Sequence, residues 1–131
     1  MKKLTIGILL LTTLILIGCT AETYDFRNPE DEIESVEIVT AESSLDYKAI
    51  KTISETEIEE FMDRFVEIGF NTYYVGDPMS VYGTAVRIVY SDGSYEMVCP
   101  HWSEYVENGV VYPVRRSCDE NEFAELIDRF S

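Results

Sequence analysis

Two dipeptides, Asp92-Gly93 and Asn108-Gly109, constrain this chain more than any other feature. Asp-Gly and Asn-Gly between alternating apolar residues are strong short-range hairpin signals, because the turn needs positive φ at its central positions. They join "TAVRIVY" to "SYEMVC" and "WSEYVE" to "VVYPVRRS", which commits the second half of the chain to antiparallel strands. With Asp92 and Gly93 as the central pair of a two-residue turn, Ser91 pairs with Ser94. Val86, Ile88 and Tyr90 then oppose Cys99, Met97 and Tyr95 on one apolar face, with Arg87 and Glu96 on the other. With Asn108 and Gly109 as the second turn, Tyr105 opposes Tyr112, and the same register carried outward sets Cys99 opposite Cys118. Pro100 is expected to end the first ladder near Cys99, and Pro113 marks its strand as an edge.

The first half reads as two strands and a helix. "SVEIVT" alternates as a half-buried strand does, "AESSLD" is a turn, and "YKAIKTI" is a second short strand. Ser54-Glu55-Thr56-Glu57 has the form of a capping box, with Ile53 and Ile58 placed as a hydrophobic staple. Ile58, Phe61, Met62, Phe65 and Ile68 then make one helical face, and Gly69 stands where a C-terminal cap belongs. "FNTYYVG" is a further candidate strand. A last helix begins near Asp119, with Glu122 three residues on and Phe123, Leu126, Ile127 and Phe130 on its apolar face. The expectation is an α+β domain over residues 35–131: an antiparallel meander of four or five strands with two amphipathic helices packed on one side.

The chain opens on Lys2 and Lys3 followed by an apolar run over residues 4–17. A membrane-spanning helix needs about 20 apolar residues, and a run this short suits an export signal. It ends in Leu16-Ile17-Gly18-Cys19, which resembles the lipobox of bacterial lipoprotein precursors. The resemblance covers residues 1–19. It implies that residues 1–18 are a signal peptide, that Cys19 receives a diacylglyceryl group and becomes the mature N-terminus, and that the protein sits lipid-anchored on the extracytoplasmic face of the bacterial cell membrane. Residues 20–34, "TAETYDFRNPEDEIE", are polar and acidic and read, with Cys19, as a tether spanning 19–34.

Without residues 1–18 the chain carries 8 basic residues against 25 acidic ones, a formal charge of −17. That excess argues against a nucleic-acid partner, because phosphate contacts need Lys and Arg. It also means that the lipid, not the protein surface, must hold the domain to anionic headgroups. No Gly-rich phosphate loop, Walker motif, HExxH or calcium loop is present, so no cofactor is expected and the reading leans away from an enzyme.

Three candidate sites remain. Cys99 and Cys118, directly opposed at about 5.5 Å between Cα atoms, would meet the geometry of a disulfide. Cys99, His101 and Cys118 form a weaker metal- or thiol-dependent alternative, two cysteines and one histidine being a known zinc set, with a lowered pKa at Cys118 before a helix N-terminus. Trp102, Tyr105 and Tyr112 are the candidate interaction patch, aromatic residues being the usual anchors of binding surfaces. On this reading the protein is a membrane-anchored binding module for a protein or cell-wall glycan.

Overall fold

The computed structural model describes residues 24–70, 81–114 and 116–131. Cys19, and the candidate strand over residues 70–76 beyond Phe70, lie outside the described residues. After a single 3₁₀ turn, Glu30–Glu32, come β1 (Ile33–Ser43), β2 (Asp46–Thr52), α1 (Ile58–Glu67), β3 (Gly83–Tyr90), β4 (Tyr95–Val98), β5 (Ser103–Glu107), β6 (Val110–Val114) and α2 (Glu120–Phe130). The fold is α+β: the described residues form a six-stranded antiparallel sheet in the order β2-β1-β3-β4-β5-β6 with two helices.

The sheet has six strands rather than four or five because both arms of the first hairpin join it. β1 pairs along the open edge of β3 from Ile33↔Tyr90 to Ala41↔Gly83, and β2 then forms the outer edge. β3 to β6 make the expected meander. β6 is the opposite edge, so Pro113 sits where its missing N–H interrupts no second ladder.

The second turn forms as expected. Asn108 and Gly109 both take positive φ, 52° and 75°, and Tyr105 pairs with Tyr112 in a ladder from Glu107↔Val110 to Ser103↔Val114. The first turn differs by one residue. Gly93 N–H donates to the Tyr90 carbonyl and Tyr90 N–H to the Ser94 carbonyl, both at 2.9 Å, so the loop has three residues with Gly93 at φ 89°. This is a tight turn followed by a glycine in the left-handed region, the second common hairpin connection. The Asp92 carboxylate stabilises it by accepting from Ser94 N–H at 2.9 Å. In consequence Ile88 pairs with Glu96 and Arg87 with Met97. A one-residue slip exchanges the faces of a strand. Tyr95, Met97 and Cys99 therefore leave the face of Val86, Ile88 and Tyr90, and Glu96 joins it.

Both faces of the sheet carry apolar clusters. On one, Val36, Ile38, Val86, Ile88, Tyr90, Val98 and Tyr105 pack under Phe61 and Phe65 of α1 and Phe123, Leu126, Ile127 and Phe130 of α2. The Phe61 and Phe130 rings meet edge to face at 5.1 Å. Glu60 joins the helices at the surface through Arg64 and Arg129. On the other face lie Val39, Ala41, Ala85, Tyr95, Met97, Cys99, Trp102 and Val106. Here Arg87 serves as cover: its guanidinium stands 4.3 Å from the Tyr95 ring centroid and 4.8 Å from that of Tyr47, and it donates to Glu37 at 3.1 Å. Irregularities in β1 between Ile38 and Val39 and between Ala41 and Ser43 bend the strand. Ser44 thereby reaches Glu104 on β5 at 2.6 Å and accepts from the Tyr95 hydroxyl at 2.6 Å.

Capping differs between the helices. Asp119 caps α2 as expected, its carboxylate accepting from Asn121 and Glu122 N–H at 2.9 and 3.0 Å. Ser54 and Glu57 meet side chain to side chain instead of closing a capping box, and a turn over residues 54–57 leads into α1. Gly69, at φ 76°, follows α1 in the left-handed conformation expected of a C-terminal cap.

Candidate functional site

The register of β4 puts the Glu96 carboxylate, 1% exposed, among aromatic rings under the helices. A buried carboxylate is tolerable only when its oxygens are hydrogen-bonded and its charge is countered. Here the Tyr24 hydroxyl donates to it at 2.7 Å, the Tyr90 hydroxyl donates to its other oxygen, and Arg27 N–H donates at 3.1 Å. The Arg116 guanidinium lies 3.7 Å away, stacks 4.1 Å from the Tyr24 ring centroid and donates to the Asp25 carbonyl. Burial and the neighbouring carboxylate push both phenols well above the ordinary tyrosine range. The chain from Tyr24 onward is thus part of the fold. Tyr24 is 5% exposed and meets Phe65 and Phe70 edge to face at 4.9 and 5.0 Å. Over residues 24–34 this replaces the expected tether.

A second cluster forms where β4 turns into β5. Cys99 N–H donates to the Trp102 carbonyl at 3.1 Å, closing a turn over residues 99–102, and Cys118 N–H donates to the Pro100 carbonyl at 2.7 Å. These bonds bring the start of α2 beside the turn. Tyr82, Thr84, Cys99, Pro100, His101, Trp102 and Glu120 line a cleft of about 290 Å³, just below the usual range for small-molecule sites. His101 Nε2 donates to the Glu120 carboxylate, and both side chains are more than half exposed. A wider groove of about 560 Å³ between the helices is lined mainly by charged side chains of both signs.

Against this geometry the sequence-derived sites fare unequally. Cys99 follows the last residue of β4, and its N–H is taken by the Trp102 carbonyl instead of by residue 118; no bond joins the two thiols in this structure. The Cys99 thiol donates to the Trp102 carbonyl at 2.9 Å. Burial raises its pKa, and burial together with Cys99 and the acidic start of α2 pushes Cys118 up to about 12, the reverse of the activation expected before a helix. Among the described residues no group of three or more His, Cys, Asp or Glu side chains is arranged to hold a metal, so Cys99, His101 and Cys118 do not make a ligand set.

The aromatic patch is reduced in the same way. Tyr105 is 3% and Trp102 2% exposed, because each faces one of the two apolar clusters. Tyr112, 6.2 Å from Tyr105 between ring centroids, is the exposed member at 49%. Tyr24, Glu96, Arg116 and Glu120 were missed. Tyr24 and Phe26, alternating within an otherwise polar stretch, were the available signal for the first. No protein-family model matches the chain, and comparison with curated proteins and with solved structures returns no match.

Glu96→Ala leaves Arg116 buried without its counter-charge and two phenols without an acceptor. It should cost about 3–5 kcal/mol of unfolding free energy, measured by urea titration. The raised tyrosines set an alkaline limit. Unfolded tyrosine ionises near pH 10 while Tyr24 and Tyr90 stay protonated in the fold, so above that pH the folded state binds more protons. Stability should begin to fall at about pH 9, where the two thiols that burial keeps protonated ionise in the unfolded chain, and above about pH 10 should fall by about a further 1.4 kcal/mol per pH unit for each of Tyr24 and Tyr90. Urea titrations repeated across that range measure the slope.

Proposed function

We propose that the chain is a lipid-anchored binding protein of the bacterial cell envelope. Cys19 holds it to the membrane, and the cleft lined by Tyr82 and Glu120 receives a small polar organic ligand such as the end of a cell-wall glycan. Residues 16–19 support the anchor through their likeness to a lipobox. Among the described residues no helix is long and apolar enough to cross a membrane. The observation that carries the binding half is the pairing of aromatic and polar walls in one cleft. The exposed Tyr82 offers ring surface over a floor that includes the buried Trp102, while the accessible His101 and Glu120 pair offers a donor and an acceptor for hydroxyl groups. This moves the expected patch from Tyr105 and Tyr112 to the far end of β5.

Trp102 is the one tryptophan of the chain and lines the cleft, so its fluorescence reports occupancy. Titration with soluble peptidoglycan disaccharides should give a saturable change, weakened about tenfold or more by Tyr82→Ala or Glu120→Gln. A flat titration against these and simple sugars, with no heat by calorimetry, would count against the cleft. The anchor is checked separately, by incorporation of labelled palmitate that Cys19→Ala abolishes.

The thiols support a structural role better than a catalytic one. A pKa near 12 lowers the thiolate fraction of Cys118 at pH 8 by roughly three orders of magnitude relative to a free cysteine, and the thiolate is the reacting species. Iodoacetamide should therefore modify the folded domain slowly and both thiols rapidly once it is unfolded without reductant. A domain lighter by two hydrogens that stays unreactive when unfolded would instead carry a disulfide between Cys99 and Cys118.

A further inference from the structure

The distance from the lipidation site to the first pinned residue is short. Only Thr20, Ala21, Glu22 and Thr23 separate Cys19 from Tyr24. Tyr24 is fixed from several sides: by Phe65, Phe70 and Glu96, and by Arg116 over its ring. The next residues hold as well, through Asp25 to Arg116, Arg27 N–H to Glu96 and Asn28 to Ser94 at 3.4 Å. At the full extension of a polypeptide the five steps from Cys19 to Tyr24 cover at most about 18 Å. The headgroup layer on one side of a bilayer takes up roughly 5–8 Å of that. What is left is about the screening length at physiological salt, so charges on the facing surface still feel the headgroups.

We propose that the domain docks on the lipid headgroup surface with the pole around Tyr24 and Asp25 turned toward the bilayer, at a height that the short connection limits. The inference rests on the lipid anchor at Cys19 and adds where the folded body must lie once that anchor is in place. The occupant of this pole is the bilayer surface, because the chain that leaves Tyr24 leads directly to the acyl groups. With −17 formal charges on the mature chain, an anionic leaflet would oppose the approach and a zwitterionic one would not. The arrangement would restrict the cleft to ligands found close to the membrane.

The test uses the full lipidated chain in phosphatidylcholine vesicles bearing a headgroup-attached energy acceptor. A donor dye is placed by Asp25→Cys at the proposed pole, or by Leu45→Cys on the exposed turn between β1 and β2. Transfer from the first position should exceed transfer from the second several-fold. Inserting about fifteen Gly/Ser residues between Glu22 and Thr23 adds a root-mean-square reach of roughly 20 Å. It should reduce transfer from the first position several-fold and bring the two positions together. Equal transfer from both positions in the parent chain, or transfer unchanged by the insertion, would overturn the proposal. A chain whose mass shows no lipid on Cys19 would overturn the anchor as well, which separates the two failures.

Discussion

The buried carboxylate of Glu96 is the constraint on which the rest of the structure depends. Removing a carboxylate from water costs several kcal/mol, and the charge must be answered locally. Three parts of the chain answer it: the N-terminal segment through Tyr24 and Arg27, the end of β3 through Tyr90, and the segment before α2 through Arg116. A network this connected is all-or-none, since each partner left unpaired in an apolar setting carries its own desolvation cost. The polar cluster thus fixes where the chain starts to be folded, and the segment around Tyr24 becomes a structural part of the helical face.

The sheet solves a second problem, that of two apolar faces and helices enough for one. On the helical face Phe61, Phe65, Phe123 and Phe130 supply the cover. On the other, the bent hairpin of β1 and β2 and the stacked Arg87 do so, the guanidinium lying over Tyr47 and Tyr95 while its charge meets Glu37. β4 is consequently buried on both sides, and the turn over residues 99–102 follows directly on its last residue, Val98. A cleft at the margin of the two clusters follows from that arrangement. Its walls come from the start of β3, the turn after β4 and the first residue of α2, three segments distant in sequence.

The elements were legible where local chemistry decides them. Asn108-Gly109 selects a two-residue turn because both residues tolerate positive φ, and the register of β5 with β6 follows without further information. The apolar faces of α1 and α2, the Asp119 cap and the strands themselves belong to the same class. Asp92-Gly93 is the instructive contrast. The same glycine serves a two- or a three-residue loop, and the choice rests on the Asp92 carboxylate bonding to Ser94. The resulting register puts Glu96 on the helical face and Met97 in the apolar cluster of the opposite face. The register that set Cys99 opposite Cys118 meets a related limit: it is carried past the point where the chain turns back at residues 99–102, and there Cys99 N–H bonds to the Trp102 carbonyl.

The candidate site was legible in its members and not in its form. His101, Cys99 and Trp102 stand close in sequence and do meet in the cleft, but Tyr82 and Glu120 arrive through the packing of the sheet against α2. Sequence alone determined the α+β class, the two helical faces, the second hairpin, the acidic charge and the likeness of residues 16–19 to a lipobox, because each depends on neighbours within a few residues. Tertiary structure decided the sixth strand, the buried Glu96, the raised thiol pKa values and the burial of Tyr105 and Trp102. Each of these depends on which distant groups share a face and how much water they exclude.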